Sequence, residues 1–102
     1  MNIHLIERNR HIRLLQKDLS RYESGDWSVS PEKAGRLHGG MIYFHETQTG
    51  PSYFGGRIVE HRVLPEDGPN AGKIVFVFDR LQEAIGVKTP REGWGMEQKT
   101  DE

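Results

Sequence analysis

Hydrophobic and polar positions change period several times along the chain, and each change marks an element. Residues 2–6 set Ile3 and Leu5 two apart, the alternation of a short strand with one face inward. Beyond Asn9 the spacing widens. Ile12, Leu15, Leu19 and Tyr22 recur three to four residues apart, which predicts a helix capped by Asn9 and stopped by Gly25. Gly25-Asp26-Trp27-Ser28-Val29 starts a second strand. Ser30-Pro31-Glu32 then opens a brief helix, with Ser30 as cap and Pro31 in the first helical position, and His38-Gly39-Gly40 ends it.

The most strongly patterned stretch follows. Residues 41–47 and 54–63 read as two β-strands joined at Gly50-Pro51-Ser52, rich in aromatic and β-branched side chains. In the first strand Ile42, Phe44 and Glu46 share one face, while Met41, Tyr43, His45 and Thr47 share the other. Gly55-Gly56 inside a strand pattern predicts a bulge or a close backbone approach. Residues 64–72 are a loop by composition. Residues 73–79 are apolar without interruption from Ile74 to Phe78, as a central strand requires. A helical turn is expected near residues 80–85, ended by Gly86. From Lys88 onward the periodicity is lost, and Trp94, between two glycines, is the one informative residue. A single domain over residues 1–95 and a flexible tail over 96–102 are therefore expected.

Composition narrows the function classes. At 102 residues there is room for one modest core. Fourteen basic against fifteen acidic residues leave a net charge of −1, which argues against coating nucleic acid through bulk charge. With no cysteine, disulfides, thiolate metal sites and cysteine nucleophiles are excluded. The longest apolar run is far too short for a membrane span, and charged residues interrupt the N-terminus, so a cytoplasmic location is expected with no membrane partner.

Trp27, the short helix reaching Leu37, then Gly39-Gly40-Met41-Ile42-Tyr43-Phe44 and Gly55-Gly56-Arg57-Ile58-Val59 form an order that resembles the PUA-like superfamily, which includes the PUA, ASCH, EVE and YTH domains. The likeness covers about residues 27–79. Met41 follows Gly40 where that family often has an aspartate. The resemblance implies an α+β fold: a small, partly open mixed β-barrel with one N-terminal helix and one short helix at its rim. It further implies binding of nucleic acid or a modified base, with hydrolases or nucleases as a minority. The lysine-centred site of the ASCH hydrolases has no clear match, Lys73 being the nearest lysine.

The candidate chemistry is a binding pocket. Trp27, Tyr43, Tyr53, Phe54 and Trp94 could stack on a base, with Ser28, His45 and Ser52 supplying hydrogen bonds to its edge. Arg10, Arg13, Lys17 and Arg21 would form a basic stripe on the first helix and contact phosphates. His38, His45 and His61 with Glu46 and Glu60 lack the spacing of a metal site, so no metal and no cofactor are expected. No nucleophile–base pair stands out. The leading expectation is a non-enzymatic module recognising a nucleotide or nucleic-acid base. The alternatives are a small hydrolase or nuclease using His45 and a carboxylate, and a protein-interaction factor presenting its Tyr53-Phe54 loop.

Overall fold

The computed structural model describes residues 1–101, which build a mostly-β domain with one short α-helix. The strands are β1 (Asn2–Ile6), β2 (Ile12–Gln16), β3 (Arg21–Trp27), β4 (Met41–His45), β5 (Ser52–Val63), β6 (Ile74–Arg80) and β7 (Gln98–Asp101). They form one seven-stranded sheet in the order β2-β3-β6-β5-β4-β1-β7. Only β1 and β4 run parallel; every other neighbouring pair is antiparallel. Among the described residues the sheet is not closed, and β2 and β7 are its two edges. Among the described residues no helix is long and apolar enough to cross a membrane.

Helix α1 (Pro31–Arg36) forms where its signals predict. The Ser30 hydroxyl accepts the Lys33 amide at 3.1 Å, Pro31 occupies the first turn, and Gly39 turns the chain away at φ +84°. Ala34 and Leu37 drop from this helix into the core beside Ile3, Leu5, Ile42, Phe44, Ile58, Phe76 and Phe78. β6 is interior to the sheet and buried from Ile74 to Val77 and on through Phe78, as its unbroken apolar run requires. The glycine pair of β5 marks close approach. A Cβ at Gly55 would run into the Ile42 carbonyl, and one at Gly56 into the Asp79 carbonyl. The bulge in the β5–β6 pair falls slightly later, between Ile58 and Glu60.

The predicted N-terminal helix is absent. β2, a 3₁₀ turn over Lys17–Leu19 and β3 take its place as a hairpin, reversing at Ser20 with φ +50°. Two sets of side-chain interactions explain the outcome. Tyr22 packs edge-on to Phe54 and stacks on Phe78, which needs β3 beside β6. Arg21 forks onto Asp79 at 2.7 and 3.0 Å, and Glu23 receives both guanidinium nitrogens of Arg62. Pairing across the sheet thus overrides the helical spacing, and Leu14, Leu15 and Leu19 are left exposed.

The C-terminal expectation also changes. Residues 98–101 pair with β1 instead of fraying, and Lys99 in their middle is buried. Glu102, the last residue of the predicted tail, lies outside the described residues.

Candidate functional site

The residues expected to form one pocket fall into three places. The first is a groove along the end of β3. Trp27 lines it, yet its ring is mostly buried in the core and its indole N–H donates to the Ser24 hydroxyl at 3.0 Å. Ser28 lies exposed on the same groove, its carbonyl accepting from Gln98. Asp26, Glu97 and Gln98 share the lining with Lys73 and the exposed Met96.

The second place is the face of β1 and β4 turned away from the main core. Parallel pairing sets His4 beside Tyr43 and Ile6 beside His45. The His4 and Tyr43 rings stack at 4.6 Å, and Trp94 meets both histidines edge-on, at 6.3 and 5.7 Å. The aperiodic segment before β7 therefore brings Trp94 over this face, where its indole nitrogen is buried and has no hydrogen-bond partner among the described residues. His45 is fully buried, with one nitrogen 2.9 Å from the Gly50 carbonyl and the other 2.9 Å from His4. Burial lowers its proton affinity, against the pull of Gly50. His45 thus has no free nitrogen to offer a substrate. Ser52, opposite His45 across the hairpin, is buried and donates its hydroxyl proton to the Ala84 carbonyl.

The third place is an open pocket of about 210 Å³ between Arg10, Ile12, Tyr22, Tyr53 and Phe54. Of the predicted aromatic rings Tyr53 and Phe54 lie here. The Tyr53 hydroxyl donates to the Glu7 carbonyl, and burial with the nearby Glu7 charge pushes its pKa up to about 12. The Arg10 guanidinium sits 4.0 Å over the Tyr53 ring and 3.6 Å from the exposed Glu46 carboxylate. Tyr22 completes the wall, a residue that the sequence pattern assigns to a helix and not to the site. Its signal lies in the alternation of β3, which the helical spacing around it hides.

The expected basic stripe loses its helix, and three of its members meet carboxylates. Arg13 approaches Glu23 at 3.2 Å, Arg21 holds Asp79, and Arg10 faces Glu46. Lys17 lies exposed in the 3₁₀ turn. His38 and His61 contact each other at 2.7 Å on the surface, and burial together with His38 lowers the proton affinity of His61. Among the described residues no three of His, Asp or Glu are grouped to hold a metal ion.

No family model, no curated protein and no solved structure matches the chain.

Proposed function

We propose that the chain is a non-enzymatic binding module that accepts one planar, base-sized guest between Tyr22, Tyr53 and Phe54 under the Arg10 guanidinium. The observation that carries this reading is the gathering of three aromatic rings and one guanidinium around an open pocket. At about 210 Å³ the pocket is smaller than the ~300–1,000 Å³ of typical small-molecule sites, which favours a single base over a whole dinucleotide. Rings supply stacking, and Arg10 supplies charge-assisted hydrogen bonds to an acceptor edge or a phosphate. The PUA-like kinship belongs to the same proposal. It rests on the order of Trp27, a short helix and two glycine-entered strands, and it implies a partly open barrel and base recognition.

Amide chemical-shift mapping with nucleoside monophosphates and short single-stranded oligonucleotides tests the reading. Shifts are expected at Ile12, Tyr22, Tyr53 and Phe54. Tyr53→Leu is expected to weaken binding by about 1–3 kcal/mol, the contribution of one stacked base. Absence of shifts in this pocket at millimolar ligand overturns it.

One observation favours a second reading, a protein-interaction module. Leu14 and Leu15 stand exposed on the edge strand β2, and Leu19 is exposed just beyond it. Light scattering of the purified chain across a hundredfold concentration range separates a monomer from an associating species.

A further inference from the structure

The face beneath Trp94 carries a row of groups that the pocket does not use. The Gly50 carbonyl, His45, His4 and Asp101 follow one another through three contacts. His45 Nδ1 lies 2.9 Å from the Gly50 oxygen, His45 Nε2 lies 2.9 Å from His4 Nδ1, and His4 Nε2 lies 3.2 Å from Asp101 Oδ2. Each contact needs one hydrogen. The Gly50 oxygen has none to give, and neither has an ionised Asp101. Two neutral imidazoles bring one hydrogen each, so the row is one hydrogen short.

We infer that His45, His4 and Asp101 form a binding site for a single proton, taken up by the row as a unit. In the deprotonated row the backbone fixes the tautomers. His45 Nδ1–H donates to Gly50, which leaves its Nε2 to accept from His4 Nδ1–H. His4 Nε2 then turns a bare lone pair toward the Asp101 carboxylate. A proton arriving from solvent at the Asp101 end, whose side chain is 41% exposed, binds His4 Nε2 and completes the third hydrogen bond. No other bond is made or broken, and the row gains one positive charge.

Every surrounding element bears on that charge. From β7, Asp101 favours it, while Lys99, paired directly with His4, opposes it; the Lys99 ammonium is turned to the Pro90 carbonyl at 2.6 Å. From β1, Asn2 holds the other Asp101 oxygen at 3.2 Å. From β4, the stacked Tyr43 ring offers its negative face and its hydroxyl stays protonated, because burial raises its pKa. Burial and His45 together outweigh Asp101, so His4 binds its proton below the ordinary imidazole range.

Nitrogen-15 NMR of the histidine side chains in the full chain, from pH 8.5 down to pH 4, reads tautomers and protonation directly. Both buried rings are expected as Nδ1–H tautomers at the alkaline end. On acidification the two rings should move with one common midpoint, below the ordinary imidazole range, with the Trp94 indole signal following. Asp101→Asn provides the sharper readout. An asparagine amide donates the missing hydrogen to His4 Nε2, so the extra proton is no longer required, and the midpoint should fall by about one pH unit or more. Separate midpoints for His4 and His45 in the unaltered chain overturn the inference whether or not the variant folds. An unchanged midpoint in a folded Asp101→Asn chain does the same.

Discussion

Glu23 shows how a single side chain in this sheet ties charge to stability. It sits on β3 with both oxygens taken by Arg62 of β5, and Arg13 of β2 approaches from the other side. The Arg62 hydrogen bonds hold its carboxyl below the usual glutamate range, despite the opposing effect of burial. The sign follows from which state binds protons more readily. A depressed folded-state value means that Glu23 adds stability above its unfolded value near 4.5, and that this is lost as pH falls through the folded value. His4, His45 and His61 are also depressed, so the unfolded chain takes up their protons first, beginning near 6.5. Urea melts are therefore expected to show full stability above pH 6.5 and two declines, one starting near 6.5 and a second below 4.5. Glu23→Gln should cost about 1 kcal/mol at neutral pH, since both arginines are half-exposed or more. It should also abolish its share of the lower decline while leaving the upper one in place.

Elements were legible in the sequence where local chemistry and burial agree. Ser30 and Pro31 start α1 wherever the chain is placed, and the apolar run of β6 has no stable position except inside a sheet. The hairpin of β4 and β5 announced itself through Ile42, Phe44 and the glycine pair. The N-terminal hairpin was not legible, because its decisive partners, Phe78, Asp79 and Arg62, are distant in sequence and Asp18 and Ser20, with no glycine or proline beside them, make only a weak turn signal. β7 was hidden for a similar reason. A four-residue edge strand of Gln, Lys, Thr and Asp has no hydrophobic alternation, and only its pairing with β1 defines it. The candidate site suffered most, since a helical Tyr22 would not reach the wall it shares with Tyr53 and Phe54. Two glycines of differing surroundings give a direct test of this element-level picture. Gly56→Ala drives a methyl into the β6 backbone and should destabilise by about 1–3 kcal/mol. A methyl added at Gly35, inside α1, would meet nothing within 4 Å, so Gly35→Ala should stabilise by about 1 kcal/mol. Thermal melts of the two variants should therefore move in opposite directions.

At the scale of the whole molecule, charge pairing decides what kind of guest the proposed pocket can serve. The chain is net −1, and three arginines of its N-terminal third are spread over carboxylates: Arg10 on Glu46, Arg13 on Glu23, Arg21 on Asp79. A strand of nucleic acid laid across these three arginines would find each already facing a carboxylate. Of the five pocket-lining residues only Arg10 is cationic, and its contact with Glu46 is exposed and long enough to exchange for a phosphate. Recognition should therefore be confined to one base and at most one phosphate. Two measurements follow from that arrangement. A nucleoside monophosphate and a twelve-nucleotide single strand should bind with per-site affinities within a few-fold of each other. The slope of log K against log salt should be about −0.7, the value for one phosphate contact, where a groove following three or four phosphates would give about −2 to −3. A steep slope with strong preference for the long strand would move the recognition surface away from Arg10 and toward cations outside this pocket, such as Arg8 and Lys73 beside the Trp27 groove.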